Sequence, residues 1–361
     1  MGVPELPNVL GVERAAKIAL LLIDGLGWDH LRAHVDVASF MGVAADARPL
    51  TAVFPATTAA SLASLGTGVP PGEHGIVGYT FALQGMDRPM NALLWEPYGI
   101  GTKSDLRERF VPEAMQPRPT LFERAAGNGV DVTKIGPREH ADSGLTRAVL
   151  RGGRYVAASE PREMVTAVAD ALGGSGASIA YAHEGNLDVA GHIAGIGSEA
   201  WLTQLARVDE LAQRIADSMP PDSVLVVTGD HGMVNLRDEE KLDLANEPVL
   251  ASGVRFVGGE ARARHVYTEP GAAEEVLAAW RDRLGDRMWV VSREEAISNG
   301  WFGARVTDAA RERIGEVVAA AHGAVAVVQR AVDPVQAGLI AHHGSMTPAE
   351  QLVPLLVFRV G

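Results

Sequence analysis

The chain has 361 residues, with 32 Lys and Arg against 45 Asp and Glu, a formal net charge of −13 and no cysteine. A hydrophobic fraction of 47% with 5% aromatics describes a globular core of Ala, Val, Leu and Ile, and the length suits one large α/β domain carrying insertions. The charge argues against broad nucleic-acid binding, which needs clustered Lys and Arg; without cysteine there is no disulfide, no thiolate ligand and no thiol nucleophile, so any metal must be held by nitrogen and oxygen.

The amino terminus, Met1-Gly-Val-Pro-Glu-Leu-Pro, lacks a basic segment before a long apolar run, so no secretory signal is read and a cytoplasmic location is expected. The apolar run 18–23 predicts a buried strand; it falls far short of the roughly 20 apolar residues that span a bilayer, and no membrane partner is expected. Asp24 ends it in Ile23-Asp-Gly-Leu-Gly-Trp, where an Asp-Gly turn is the plain structural reading. The two glycines lack the third of a dinucleotide fingerprint. Next comes Phe54-Pro-Ala-Thr-Thr-Ala-Ala-Ser, a turn into an Ala-rich helix. A threonine there is either a helix cap or a hydroxyl facing an anion held by backbone N–H groups.

Residues 82 to 135 carry no candidate ligand and include the Pro-rich segment starting at Pro112, which reads as a lid insertion. A helix is predicted over 162–172, a short Gly173-Gly-Ser-Gly linker comes next, and 178–182 reads as a strand. Asp188 and His192, four apart, share one face of a helical turn and can share an ion. Gly185, Gly191, Gly195 and Gly197 around them favour a tight, irregular segment. From Glu199 to Met219, Trp201, Leu205, Val208, Leu211 and Ile215 recur at helical spacing.

The strand predicted over 223–228 ends in Gly229-Asp-His-Gly. Adjacent side chains of an extended strand point to opposite faces, so Asp230 and His231 reach one site only through a turn, which the flanking glycines permit. Residues 237 to 335 again lack candidate ligands but carry strand patterns at Arg264-His-Val-Tyr and Arg287-Met-Trp-Val-Val and helix patterns at 274–284 and 308–321, reading as a small α/β cap insertion. Ala341-His-His-Gly-Ser and a strand at 353–358 close the chain. His30, His34, His74, His140, His183, His265 and His322 read as structural.

Strands alternating with helices predict an α/β fold, a mainly parallel central sheet with helices on both faces in a single domain over 1–361. Ligands of such sheets gather at the carboxyl ends of the strands, where Asp24 and Asp230-His231 fall. Asp24, Asp188, Asp230, His192, His231 and His343 together suffice for two divalent ions.

The ordered set Asp24, Pro55-Ala-Thr-Thr, Thr67-Gly-Val-Pro-Pro-Gly-Glu-His-Gly, Asp188-x-x-x-His192, Asp230-His231-Gly-Met and His343-Gly resembles the alkaline phosphatase superfamily, in its nucleotide pyrophosphatase/phosphodiesterase branch. The resemblance implies two zinc ions at the sheet's carboxyl edge, with manganese as the alternative. Asp24, Thr58, Asp230 and His231 would hold one, and Asp188, His192 and His343 the other. It implies Thr58 rather than Thr57 as nucleophile, and His343 rather than His342 as ligand. Relatives place an asparagine about eleven residues after the Thr-Gly pair to hold a phosphoryl oxygen; this chain has Gly78-Tyr79, and the Tyr79 phenol is the candidate replacement.

The function so implied is two-metal hydrolysis of phosphodiesters or nucleotide pyrophosphates through a covalent threonyl-phosphoryl intermediate, on a small anionic phosphate-ester substrate. The alternative on the same scaffold is a phosphomonoesterase or phosphonate hydrolase. A formylglycine sulfatase is disfavoured by the lack of cysteine and of a Ser-x-Pro-x-Arg motif. A catalytically silent binding protein is disfavoured because every ligand and the threonine are present. The sequence sets no oligomeric state.

Overall fold

The computed structural model describes residues 8–44 and 48–361. The stretch 1–7, where a leader segment would begin, lies outside the described residues. Apolar runs form the strands β1 (Lys17–Ile23), β4 (Ser178–Glu184) and β5 (Val224–Thr228), and the more polar segments β2 (Asp131–Gly136) and β3 (Arg154–Ala157) join them. These five are parallel neighbours in the order β5-β1-β4-β2-β3. The segment 254–321 supplies β6 (Val254–Glu260), β7 (Ala263–Thr268), β8 (Met288–Ser292) and β9 (Val317–Ala321) to a separate antiparallel sheet ordered β6-β7-β9-β8. Finally β10 (Leu355–Arg359) returns to the main sheet, antiparallel to β5.

Alternation along β1 decides what covers each face. Ala19, Leu21 and Ile23 pack with residues of the helices α2 (Pro161–Leu172) and α4 (Glu199–Ser218), among them Trp201, Leu205 and Ile215. Leu22 faces the other way, towards Ala59, Leu62 and Ala63 of α1 (Thr58–Thr67). Burying each large side chain of α4 contributes roughly 1.5–3 kcal/mol, far more than the few tenths by which helix propensities differ. Packing therefore fixes this helix. In the smaller sheet, Val266, Met288 and Val317 bury against Trp280 and Leu284 of α5 (Ala273–Leu284). Its other face, with Ala263, Val318 and Ala320, joins the cluster that contains Leu22 and Phe54, so the two sheets share a core.

The strand registers place the site. Ile23 of β1 lies beside Glu184 of β4, and Leu22 beside Thr228 of β5, so three strands end at one level. Beyond these three ends the chain continues into Asp24, into the helix α3 (Asn186–Ala194) and into Asp230-His231, which therefore emerge side by side.

Three expectations are corrected. The helix pattern at 308–321 holds only for Asp308–Arg313; beyond it Val317–Ala321 is a strand, because pairing with strands on both sides outweighs the helix propensity of its alanines. The ligand-poor stretch beginning at residue 82 stops before Asp131, since 131–135 pair with β4 inside the central sheet. The segment around Asp188 and His192 is a regular nine-residue helix. Its Gly191 answers a close approach, because a Cβ there would meet the Met233 sulfur at 2.5 Å.

One buried ion pair ties the turn between β6 and β7 to the site loops. Arg262 grips Glu350 through Nε and Nη2 at 2.8 and 2.9 Å, both side chains being almost fully buried. Glu350 also accepts from the Ser345 N–H and the Thr347 hydroxyl, and its own carbonyl accepts from Gly232 N–H. It thus anchors the loops that come after His231 and His343. Removing one partner of such a pair strands a buried charge, so Arg262→Met is expected to cost about 3–5 kcal/mol of stability in denaturant unfolding. A loss below about 1 kcal/mol would show that water or a rearranged loop compensates.

Candidate active site

Three strand ends and two loops build one cluster. Asp24 succeeds β1, and Asp230 and His231 succeed β5. Asp188 and His192 lie one turn apart on α3, with a 3.3 Å separation between Asp188 Oδ2 and His192 Nε2. His343 arrives on the loop before Ser345; its neighbour Gly344 accepts from Ala56 N–H, which joins this loop to the Pro55 turn. One donor atom each from Asp188, His192 and His343 lies within 4.8 Å of the others, and the same holds for Asp24, Asp188 and His231. Asp188 belongs to both groups, and the His231 and His343 rings stack at 3.6 Å, so two cation sites would be contiguous.

Thr57 takes the N-cap position of α1 with extended backbone, yet its side chain does not cap; it donates to Glu260 Oε1 at 2.7 Å. Thr58 begins the helix and turns its Oγ towards the cluster, 3.2 Å from His231 Nε2 and 3.4 and 3.5 Å from the two Asp24 oxygens. The oxygen separations exceed the roughly 2.5–3.0 Å of good O–H···O bonds and suit groups that face a common ion. All the sequence-derived ligands thus stand together. Tyr79 lies apart from them on the wall of the same cleft, a cavity of about 640 Å³ that Thr58, Asp188, His192 and His343 also line.

The ring nitrogens reveal the chemistry of the donor set. His192 Nδ1 lies 2.8 Å from the Ala341 carbonyl, His343 Nδ1 2.8 Å from the Ala56 carbonyl, and His231 Nδ1 3.1 Å from the Gly232 carbonyl. A carbonyl only accepts, so all three rings carry hydrogen on Nδ1 and present Nε2 to the cluster, the arrangement of metal-binding histidines. Next to them, Asp188 Oδ1 and Asp230 Oδ2 are buried without a hydrogen-bond partner among the described residues. The second oxygen of Asp230 is occupied by the N–H groups of Gly25 and His231. Unpartnered buried carboxylate oxygens are costly. Divalent cations would satisfy them, so the residues fit the two ions that the sequence implies.

Electrostatics agree. Burial, then the Asp188 charge, pushes the Asp24 carboxyl well above its ordinary range, and burial with the Asp24 charge does the same to Asp230. Burial lowers His231 to about 3 and, with His231 beside it, holds His343 well below the usual range. His192 is the exception: against the effect of burial, the Asp188 carboxylate carries it to about 9, and the imidazolium in turn holds Asp188 below its ordinary value. Asp24, Asp230 and His192 thus all hold protons more tightly than usual, and cations at the cluster would compete with those protons.

His183, expected from sequence to be structural, has a further place: its Nε2 stands 3.2 Å from Asp24 Oδ2, beside the cluster. As the sixth residue of β4 it reaches the sheet's carboxyl end, a position that could have raised it as a candidate. Glu260 and Asn91 are two more cleft residues that sequence patterns do not single out. Glu260 is buried beside Thr57 and raised by that burial to about 7, and Asn91 stands beside Tyr79. They come from segments without recognisable motifs. His342, the neighbour of His343, turns its Nε2 to the Leu339 carbonyl.

The fold recurs in solved structures. An inactive threonine-to-alanine variant of murine ectonucleotide pyrophosphatase/phosphodiesterase 5, in complex with AMP, is similar with a TM-score of 0.71 at 15% identity, over 95% of this chain and 89% of that one. Human ectonucleotide pyrophosphatase/phosphodiesterase 5 gives 0.71 at 16% identity, over 95% and 88%. Phosphonoacetate hydrolase from Sinorhizobium meliloti 1021, in complex with phosphonoformate, gives 0.69 at 17% identity, over 96% and 90%. No curated protein sequence matches the chain. The profile of the type I phosphodiesterase / nucleotide pyrophosphatase family matches residues 18–346, nearly the whole length, and the chain belongs to that family.

Proposed function

We propose that the protein is a metal-dependent hydrolase of phosphodiesters or nucleotide pyrophosphates, with Thr58 as nucleophile and a covalent threonyl-phosphoryl intermediate. The observation that carries this reading is the Thr58 hydroxyl beside His231 Nε2 and the Asp24 carboxylate, in a cluster where three histidines turn Nδ1 to backbone carbonyls and Asp188 Oδ1 and Asp230 Oδ2 lack a hydrogen-bond partner among the described residues. Asp24, Thr58, Asp230 and His231 would hold one ion, and Asp188, His192 and His343 the other. Zinc suits this nitrogen and carboxylate set, with manganese the alternative. Two bound cations supply charge that favours the alkoxide of the attacking hydroxyl and neutralises the departing oxygen.

The chain's own residues orient the reaction. Thr58 opens α1, so free backbone N–H groups at that helix terminus are available to phosphoryl oxygens beside the nucleophile. The Nδ1 bonds to backbone carbonyls fix the histidine rings, and Glu350 holds two of their loops. The inactive threonine-to-alanine variant of the murine relative supports a threonine in the central role.

Charge in the cleft favours a diester over a monoester dianion or a carboxylated phosphonate. Among the described residues Lys103 is the one Lys or Arg lining it, and Glu96 pairs with that ammonium at 2.9 Å. Glu260 and Asp333 line the same walls. Among the described residues, a second negative charge on the substrate therefore meets acidic side chains and no unpaired Lys or Arg. On the zinc-loaded protein, kcat/KM is expected to be higher for bis-p-nitrophenyl phosphate than for p-nitrophenyl phosphate or a phosphonate ester. Faster turnover of the monoester or the phosphonate would replace the diester reading with the alternative on the same scaffold.

A further inference from the structure

The clearest unassigned polar contact in the cleft joins Tyr79 to Asn91. Asn91 lies on the short strand Met90–Asn91, paired antiparallel with Thr80–Phe81, and is 2% exposed. Its Oδ1 accepts from the N–H groups of Leu93 at 2.9 Å and Leu94 at 3.1 Å. Those two bonds settle which end of the amide is oxygen, because a backbone N–H only donates. The other end, Nδ2, then faces Tyr79 Oη at 2.8 Å and must donate to it.

A phenol has one hydrogen. Its oxygen is already accepting from Asn91, and Asn91 presents no acceptor on that side, so the Tyr79 hydrogen has to point elsewhere. The phenol makes no other hydrogen bond among the described residues and lines the cleft that Thr58 also lines. Tyr98 packs edge-on against the ring at 5.8 Å and limits its movement. Burial, with the charges of Glu260 and Asp333 after it, raises the phenol's pKa, so it stays a neutral donor.

We propose that Asn91 is a positioning residue that fixes the direction of the Tyr79 hydrogen bond, so that the phenol serves as a one-way donor to an oxygen of a phosphate ester bound in the cleft. This rests on the proposed function and deepens it. It explains how the Gly78-Tyr79 sequence can serve a phosphoryl group: an amide one strand away orients the phenol. Asn91 itself acts through Tyr79 and is not assigned a contact with substrate.

The experiment reverses the bond. In Asn91→Asp the new oxygen facing Tyr79 accepts, and the phenol's hydrogen turns back into the protein. Asn91→Ala is the neutral counterpart, removing the orienting donor without adding charge. A hydrogen bond to a charged group is worth about 1.5–3 kcal/mol, so Tyr79→Phe and N91D should each lower kcat/KM for bis-p-nitrophenyl phosphate about ten- to a hundredfold. N91A should fall between these and the parent. The deciding measurement is N91A in the Y79F background, where no further loss is expected. An equal loss in both backgrounds would overturn the proposal and assign Asn91 an independent structural role, as would an unchanged N91D.

The inhibition constant for inorganic phosphate, or its affinity by calorimetry, provides the same cycle without turnover. If no ester is hydrolysed but phosphate affinity shows the coupling, the proposed reaction fails and the Asn91–Tyr79 device stands. If esters are hydrolysed and neither turnover nor phosphate affinity shows it, the device fails and the reaction stands.

Discussion

Thr58→Ala is expected to abolish turnover while leaving a folded, metal-binding protein. The side chain opens α1 without making a capping bond, so its loss should cost less than the roughly 0.5–2 kcal/mol of a true cap. Its oxygen, however, is the only threonine hydroxyl turned to the cluster among the described residues, 3.2 Å from His231 Nε2. Removing a nucleophile leaves only binding and electrostatic stabilisation, so kcat should fall on the order of 10³-fold or more. Thr58→Ser should keep part of the activity. Thr57→Ala is the matched control, and the structure alters what it should do: the Thr57 hydroxyl bonds to the buried Glu260, so its loss should cost about 1–3 kcal/mol of stability yet preserve turnover. Kinetics alongside thermal melts separate the two effects. A dead Thr57 variant beside an active Thr58 variant would move the nucleophile by one residue.

The cluster of candidate metal ligands is legible because it sits where strands end. A parallel strand buried on both faces is an unbroken apolar run, and the first polar residue after it must surface at the carboxyl edge; Asp24 and Asp230 announce themselves in this way. Asp188 and His192 carry only a weak signal in their four-residue spacing, and it is their place in the ordered set of motifs that marks them. Other features depend on contacts between distant segments, which one-dimensional patterns do not carry. Glu260 reaches Thr57 from 203 residues away, and nothing in Gly258-Gly-Glu marks it. Asn91 matters only because a hairpin lays it against Tyr79. Gly232 looked like turn chemistry, yet its φ is ordinary and its constraint is the Ala349 carbonyl, 2.1 Å from where a Cβ would stand. The alanines of β9 gave a helical signal because propensity is local, whereas pairing on both edges is not.

Stripping the metals is expected to make stability fall with rising pH between about 7 and 9, and reloading them to remove that dependence. Burial first, then the Asp188 charge at Asp24 and the Asp24 charge at Asp230, raises the folded-state pKa values of these two aspartates, and against the effect of burial the Asp188 carboxylate raises His192 to about 9. A group raised in the folded state contributes stability that is complete below its unfolded pKa and is lost as pH climbs through the folded one. For His192 that window runs from about 6.5 to about 9. The two aspartates act in the same direction from about 4 upwards. His231 and His343 are lowered and act oppositely, penalising the fold where the unfolded chain would bind their protons, but that contribution ends near 6.5. Asp188, lowered, gives its stability above about 4 and no slope in this range. From pH 7 to 9 the His192 term remains, destabilising and worth up to about 1.4 kcal/mol per pH unit. Cations bind the deprotonated ligands, so each site saturated at about a thousandfold over its Kd adds about 4 kcal/mol. The gap between zinc-loaded and chelator-treated protein should therefore widen with pH. Calorimetric melts at pH 7, 8 and 9 measure it directly. A chelated protein as stable at pH 9 as at 7, with no gain on adding zinc or manganese, would mean that these carboxylates and imidazoles hold no metal.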